Sequence, residues 1–483
     1  MSSIKKNFVY NVAYQVLTIL IPIVTMPYLS RVLGTKGIGV YSYTYSIAEC
    51  FGLFTLLGLA NYGNRTIARN RVKGGNVSKV FFEVYAFQLI MGVVVVAVYL
   101  VYVLQSYSEN RSVQLIWTLF LISVMLDINW FFFGLEKFKL TITRNMIVKL
   151  VTFIAIFLFV REENGVVAYC FVLAVGALVT QVVLWPFLLR EVTWVCPTLW
   201  GIARHIKPNF VLFIPVVAVS IYKQVDVVIL GSISGYDDVG LYENAYKVIV
   251  MPFAVISALG TVMLPRVTNL LAKGEVEKNN QYLTDSFWST AIFASIIMFG
   301  IASISFELAP VYFGEAFSYC SILILIMIFD VPFRTWGNVI RTQYLMPLGR
   351  DREFVISVVA GAAVNLVINL MLIPFIGCLG AAIAMLLTQI TVCLLQVWAV
   401  RSELPLKRYL LIGLPFYAMG AVMFVCVRIV SLFVAVDAVG LMIEVSMGAV
   451  AFGTCFVLYI AFSKDERVDR FLGKHLKRLK LKR

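Results

Sequence analysis

The sequence predicts an all-α, polytopic integral membrane protein of about 14 transmembrane helices, arranged as two parallel six-helix lobes followed by two extra C-terminal helices. Three observations lead to this fold class. The mean hydropathy is +0.91, and only 14% of the residues are charged. Apolar runs of about 20 residues, long enough to cross about 30 Å of hydrocarbon as helices, recur along the chain. Short motifs also repeat at a nearly constant spacing, which indicates an internal duplication.

Each predicted span is an apolar run bounded by charged or polar residues. The first follows Lys5 and Lys6, as a signal peptide would, but it is long and lacks a small-residue cleavage site, so we expect it to be retained. The predicted spans cover residues 8–30, 38–61, 81–104, 113–133, 145–160, 166–189, 210–232, 240–265, 286–306, 318–346, 354–375, 378–400, 409–434 and 439–462.

The net charge of +14 does not indicate nucleic-acid binding, because the basic residues are sorted by membrane side. Most of the 40 Lys and Arg residues fall in alternate loops and in the C-terminal tail. By the positive-inside rule these segments, and both termini, are expected in the cytoplasm. The basic cytoplasmic tail covers residues 463–483, and we expect its segment Lys474–Arg483 to rest on anionic lipid headgroups, with partner binding as the alternative.

Cysteine and histidine usage gives no sign of a metal or redox centre. The eight cysteines are scattered, mostly within apolar runs, and form no C-x-x-C pair, which is typical of small core residues. His205 and His475 both fall on the predicted cytoplasmic side, which excludes a histidine-based centre at membrane depth. No G-x-x-x-x-G-K-[ST] motif is present to bind a nucleotide.

The repeated motifs predict a duplicated unit of six spans. An even number of spans returns the chain to the same side, so the two lobes are expected to be parallel. We place them at residues 1–205 and 206–408, with two further helices at 409–462. The matching positions are Gly39-Val40-Tyr41 with Gly240-Leu241-Tyr242 and Arg65 with Arg266, at an offset of 201, and Asp127 and Gly134 with Asp330 and Gly337, at an offset of 203.

One predicted span carries a polar stripe. Asp330, Arg334, Asn338 and Arg341 follow one another at intervals of four, four and three, which places them on one face of a helix. A charge at the bilayer centre costs roughly 2.5–3.5 kcal/mol on insertion scales, so such residues line water or contact a ligand. Asp330 can pair with Arg334, while Arg341 is left over. This surplus guanidinium indicates an anionic ligand, or else a partner elsewhere in the bundle.

Other polar residues within the spans divide into two groups. The first group lies well inside the spans, and structural ion pairs that lock helices together are the alternative to a functional role; it comprises Lys223, Asp226, Lys247, Glu49, Asp127 and Arg428. A second group lies near span edges, where we expect the charged ends to reach the membrane surface; it comprises Glu83, Lys149, Glu243 and Glu444.

Neutral oxygens near Asp226 offer a cation site. Asn365 and Asn369 are four residues apart in one span, and Thr388 lies in the next. Together with the Asp226 carboxylate they could coordinate a monovalent cation. Hydrogen bonding between helices explains the same residue types.

Several short motifs stand in the first 140 residues or so. They are Lys6-Asn7-Phe8, Pro27, Arg31-Val32-Leu33-Gly34, Gly37-Ile38-Gly39-Val40-Tyr41, Gly58-Leu59, Arg65 and Trp130–Gly134. These motifs resemble those of bacterial polysaccharide (O-antigen type, Wzx-like) flippases of the multidrug/oligosaccharidyl-lipid/polysaccharide exporter superfamily. The resemblance is motif-specific over this N-terminal part and extends over the whole chain in its count of six, six and two spans.

The resemblance implies two six-helix lobes around a V-shaped cavity that opens alternately to each side. It implies a cargo of undecaprenyl-pyrophosphate-linked oligosaccharide, with the lipid tail held along the last two helices. Arg31 matches a cavity-facing arginine of related lipid II flippases. Asp226, Asn365, Asn369 and Thr388 are similar to their sodium site, except that Asn369 stands where an acidic residue is expected.

We therefore expect a multi-pass protein of the bacterial inner membrane that is a flippase and not an enzyme. It needs no cofactor beyond Na⁺ or H⁺ coupling, and its expected partners are the lipid-linked glycan, membrane lipids and polysaccharide polymerase machinery, with no nucleic acid. The alternatives are a multidrug or other small-molecule antiporter, a lipid II flippase, and a membrane enzyme, which the short outer loops disfavour. The expected cargo-binding residues are Arg31, Lys223, Lys247, Arg334, Asn338 and Arg341; the ion-coupling residues are Asp226, Asn365, Asn369 and Thr388; and Glu49, Asp127 and Asp330 are polar-cavity or structural residues.

Overall fold

The protein is represented by a computed structural model that describes residues 2–72, 74–106, 109–162, 165–463 and 467–468. Within these residues the regular elements are helices, and no strand occurs. The chain forms two compact units, Met1–Gly240 and Leu241–Arg483. These units are defined by packing, so the lobe boundaries drawn from the repeated motifs stay a prediction.

The first unit is built from long apolar helices with short ones between them. Its last helix, α10, continues into the second unit. The helices are α1 (Ser2–Leu56), α2 (Leu59–Val72), α3 (Val77–Gln105), α4 (Arg111–Met125), α5 (Asn129–Gly134), α6 (Phe138–Phe159), α7 (Val166–Val182), α8 (Trp185–Leu188), α9 (Leu199–Ile233) and α10 (Tyr236–Ala272).

The second unit contains seven further α-helices among the described residues. Two π-helical turns, 309–313 and 341–345, follow α11 and α13. The helices are α11 (Val276–Leu308), α12 (Cys320–Met327), α13 (Asp330–Ile340), α14 (Asp351–Ile376), α15 (Cys378–Val400), α16 (Leu406–Ser431) and α17 (Ala438–Phe462).

Twelve helical stretches among the described residues are long and apolar enough to cross a membrane. The first, Leu20–Val72, contains the second predicted span and the end of the first, because α1 continues through a kink. The seventh predicted span lies in α9, whose described apolar stretch is Gln224–Ile233. The all-α polytopic fold class is confirmed, and the count of about 14 spans fits this arrangement.

The kink in α1 and the break between α9 and α10 occur at equivalent glycines. Gly34 has φ 64° and ψ −177°, and Gly235, at the repeat offset of 201, has φ 97°. Both φ values lie in the left-handed region, where a side chain would be strained. The repeat read from the sequence therefore recurs in the backbone.

Two further glycines form a reciprocal contact just beyond these breaks. A Cβ on Gly39 would lie 1.7 Å from the carbonyl oxygen of Tyr236, and a Cβ on Gly240 would lie 2.1 Å from that of Thr35. Thr35 and Tyr236 are themselves related by the offset of 201. The start of α10 thus crosses α1 backbone to backbone at symmetric positions, and the Thr35 hydroxyl donates a hydrogen bond to Asp237 beside the crossing.

Two carboxylates are buried more deeply than the sequence indicated. Glu83 and Glu444, expected to reach the membrane surface, are each 1% exposed. Glu83 Oε2 accepts a hydrogen bond from Arg204. The other oxygen, Oε1, lies so close to Gly201 that a Cβ on that glycine would be 2.2 Å from it. The expectation was wrong because a residue near the end of a span can still face inward between helices.

We expect Gly39→Ala to destabilise the protein, because the added methyl group cannot fit against the Tyr236 carbonyl without moving a helix. Overpacking of this kind costs about 1–3 kcal/mol or more. Thermal unfolding of the purified protein in detergent measures the effect. Gly453→Ala is the matched control. It also replaces a glycine within a helix by alanine, but the added Cβ meets nothing within 4 Å. Equal melting temperatures for the two variants would contradict the reciprocal contact.

Candidate functional site

The polar stripe predicted from the sequence occupies α13 and the π-helical turn that follows it. Asp330 begins α13 and is fully buried. Arg334 donates to Asp330 Oδ2 from Nε at 3.1 Å and from Nη2 at 2.6 Å. The guanidinium also lies 5.4 Å from the centre of the Phe253 ring. The predicted pairing of Asp330 with Arg334 is confirmed, and the carboxylate fixes the orientation of the guanidinium.

The sequence left Arg341 without a carboxylate partner, but in the structure its side chain has other partners. Its Nη2 donates to Asn338 Oδ1 at 3.0 Å, and its guanidinium lies 5.4 Å from the centre of the Phe354 ring. The sequence left open either an anionic ligand or a partner elsewhere in the bundle, and the structure gives Arg341 an amide oxygen of its own helix and a ring face of α14. Arg341 begins the π-helical turn. Such turns are rare and are frequently found at functional sites.

The inner part of the stripe packs tightly against neighbouring helices of the second unit. A Cβ on Gly260 of α10 would lie 3.0 Å from both Asn338 Nδ2 and Thr342 Oγ1. On another side, Gly337 faces Gln396 of α15. Asn338 is 6% exposed, so it positions Arg341 from within the helix packing.

The network around Tyr344 fixes the other end of the π-helical turn. Tyr344 and Arg350 both donate to Glu403, which follows α15, and the Arg350 distances are 2.8 Å. The Tyr344 hydroxyl, together with the Arg350 guanidinium, lowers the pKa of the Glu403 carboxyl, so this anchor is ionised at neutral pH.

The remaining predicted cargo residues are spread over both units. Lys247 of α10 lies 4.0 Å from Glu243, one helical turn away. Arg31 is exposed and donates to the Pro27 carbonyl at 3.2 Å, just before the Gly34 kink. Lys223 lies in α9, but its side chain is outside the described residues.

The predicted ion-coupling residues are all buried. Asn369 Nδ2 donates to Asn365 Oδ1 at 3.2 Å within α14, and the Thr388 hydroxyl donates to the Ala384 carbonyl at 2.7 Å within α15. These two helices pair closely, with Gly361 facing Thr388. Asp226 belongs to the first unit and is 3% exposed. The described residues contain no group of three or more His, Cys, Asp or Glu able to hold a metal ion.

Asp127 resembles Asp330 in its surroundings, as the repeat predicted. It precedes α5 and accepts from the Asn129 backbone N–H at 2.8 Å and from Nδ2 at 2.6 Å. Asn129 in turn accepts from Arg144 at 3.0 Å. Each carboxylate therefore lies at the start of a short helix and is connected to an arginine, directly in one unit and through an amide in the other.

Sequence reasoning missed two partners. Gln224 donates to Glu49 from α9, and Arg144, assigned to a cytoplasmic loop, is 5% exposed within the first unit. Gln224 lies between Lys223 and Asp226, so a polar cluster in an apolar run was a usable signal. Nothing in the local sequence marks Arg144 as buried.

A family model described as "Polysaccharide biosynthesis protein" matches residues 4–271, more than half of the chain. Among curated proteins, the "Putative O-antigen transporter" of Escherichia coli (strain K12) is 24% identical over 410 residues, which cover 83% of this chain and 97% of that protein. The "Probable low-salt glycan biosynthesis flippase Agl15" of Haloferax volcanii is 26% identical over 163 residues, 34% of either chain.

Solved structures show the same fold at low sequence identity. The "Lipid II flippase MurJ, inward closed conformation" superposes with a TM-score of 0.76 at 14% identity, covering 94% of this chain and 98% of that one. An inward-facing transporter of the multidrug resistance MATE family gives a TM-score of 0.55 at 13% identity, covering 82% of this chain and 98% of that one. The resemblance seen in the sequence motifs is confirmed.

We expect Arg334→Ala to reduce stability strongly, because it leaves the buried Asp330 carboxylate without its guanidinium. Removing one partner of a buried ion pair typically costs about 3–5 kcal/mol. The melting temperature in detergent reports the loss, with exposed Arg352→Ala as the control. A double variant, Asp330→Asn with Arg334→Gln, removes both charges at similar volume and should recover much of the stability. If Arg334→Ala were as stable as the control, the pair would have no structural role.

Proposed function

The chain belongs to the polysaccharide biosynthesis protein family, and from this membership we propose that it translocates lipid-linked oligosaccharides across the bacterial inner membrane. The curated relatives include O-antigen transporters and glycan-biosynthesis flippases, which supports a cargo of this class. We propose undecaprenyl-pyrophosphate-linked repeat units as the cargo. Both termini lie in the cytoplasm in this proposal, because the positive-inside rule favours that orientation.

The observation that best supports this proposal is the guanidinium stripe of α13 and its π-helical turn. A pyrophosphate passing through a membrane needs donors that replace its water, and arginine binds phosphate oxygens through a planar fork. Asp330 and Asn338 hold Arg334 and Arg341 on one helix face. The basic residues Arg31, Lys223 and Lys247 complete the proposed cargo set. No covalent step is required, so the protein acts as a transporter and not as an enzyme.

Transport is proposed to proceed by alternating access coupled to a cation. Asp226, Asn365, Asn369 and Thr388 are the proposed coupling residues, since buried amide, hydroxyl and carboxylate oxygens suit Na⁺ and a carboxylate also accepts H⁺. The two six-span lobes, 1–205 and 206–408, are the proposed moving bodies. Helices within 409–462 are proposed to hold the lipid tail, and polysaccharide polymerase machinery is a proposed downstream partner.

A multidrug antiporter is the main competing function, because the MATE family transporter shares the fold. Organic cations favour an acidic, aromatic site, whereas α13 exposes guanidinium groups more than carboxylates. Lipid II transport requires the same pyrophosphate chemistry and differs in the sugar.

We expect Arg341→Ala to abolish surface glycan while leaving the amount of protein in the membrane unchanged. Arg341→Lys keeps the charge but loses the fork, so we expect intermediate export. Glycan on the cell surface and protein in isolated membranes are measured in the same cells, with Arg352→Ala as the control. Normal export by Arg341→Ala would remove this residue from the cargo site, and parallel loss of protein would indicate a structural role.

We expect an imposed Na⁺ or H⁺ gradient to change the rate of transport in proteoliposomes that contain a lipid-linked oligosaccharide. The coupling residues bind the ion in one orientation and release it in the other, so the gradient biases the cycle. Accessibility of the labelled sugar to an external enzyme measures transport. Asn369→Ala should weaken the response to the coupling ion. Equal rates with and without either gradient would exclude coupling.

A further inference from the structure

A second charged cluster lies in the second unit, away from the residues assigned to cargo or coupling ion. It comprises Glu307 near the end of α11, Arg428 near the end of α16 and Glu444 two turns into α17. The three helices pack against one another. Glu444 is the seventh residue of α17, about 9 Å along the axis from its first residue.

Glu307 already matches the charge of Arg428. Arg428 Nη1 lies 3.0 Å and 2.9 Å from the two carboxylate oxygens of Glu307 and donates to the Ser303 carbonyl at 3.0 Å. The guanidinium also lies 5.7 Å from the centre of the Phe306 ring. The Glu307 side chain is 10% exposed and that of Arg428 is 31% exposed. This ion pair is therefore electrically complete without a second carboxylate.

Glu444 brings that second carboxyl group into the same cluster. It is 1% exposed, and both of its carboxyl oxygens are buried with no hydrogen-bond partner among the residues that the structure describes. It is close enough to Glu307 and Arg428 to interact with both electrostatically. Two acidic groups thus share one base inside a helix bundle.

An ionised Glu444 would be costly here, since a buried carboxylate without donors loses its hydration and is repelled by the neighbouring carboxylate. A bound proton removes the charge and converts one oxygen into a donor. We propose that Glu444 is a proton-binding site, with its carboxyl group protonated in the membrane beside an ionised Glu307–Arg428 pair. Release breaks the O–H bond, leaves the electron pair on the carboxylate and delivers the proton to water past the partly exposed Arg428. Within the described part of the chain, the charged groups that face Glu444 are Glu307 from α11 and Arg428 from α16.

Infrared spectroscopy of the purified full-length protein in lipid nanodiscs tests this proposal without measuring transport. A protonated carboxyl group gives a carbonyl-stretch band that shifts in D₂O, and an ionised one does not. Glu444→Gln, which is nearly isosteric with the protonated acid, should lose one carboxyl equivalent of this band and keep its melting temperature. Glu243→Gln is the matched control, because Glu243 pairs with Lys247, and its band should equal that of the wild type.

Two further variants change the charge count in opposite directions. Glu307→Gln leaves Glu444 as the acid for Arg428, so Glu444 should ionise and the band should again fall by one equivalent. Arg428→Gln leaves two acids with no base, so the band should rise by about one equivalent. A band of full amplitude in Glu444→Gln, as expected if a metal cation and not a proton neutralised Glu444, would overturn the proposal, and so would a fall in Arg428→Gln. Neither result depends on the cargo or on ion-driven transport.

Discussion

Charge compensation within the helix bundle governs the organisation of this protein. The hydrocarbon of a bilayer solvates no ions, so each charge placed within it must be matched by a neighbour, a ligand or water. The structure shows several solutions. Asp330 binds Arg334 directly, Asp127 reaches Arg144 through Asn129, and Glu307 binds Arg428. Each match also ties one part of a helix to another, so the charges proposed for transport are held in place by the same contacts that stabilise the fold.

The stripe on α13 shows how structural and transport roles can be combined in one helix. Its acidic and amide members, Asp330 and Asn338, are buried and orient the two arginines. The arginines in turn lie beside aromatic rings, Arg334 beside Phe253 and Arg341 beside Phe354. The face of each ring stabilises the guanidinium next to it. The guanidinium planes are thereby held in fixed orientations on one face of the helix.

The fold was predictable from the sequence because hydropathy and span length report it directly. Contacts one helical turn apart were also predictable, and Asp330 with Arg334 is the example. Partners that come from distant helices were not, because no local pattern connects Gln224 to Glu49 or Asn129 to Arg144. The burial of Glu444 was not predicted, because the position of a residue along a helix does not reveal which way its side chain faces.

The glycine crossing constrains one of the repeated motifs in both of its copies. Gly39 faces the backbone at Tyr236, and Gly240 faces the backbone at Thr35, so the two copies of the motif pack against each other. Other paired positions differ between the copies, as where Arg334 and Arg341 stand opposite Phe131 and Phe138. At the crossing, a change in one copy must be accommodated by the other. This stretch of the repeated motif is therefore constrained by packing in both of its copies at once.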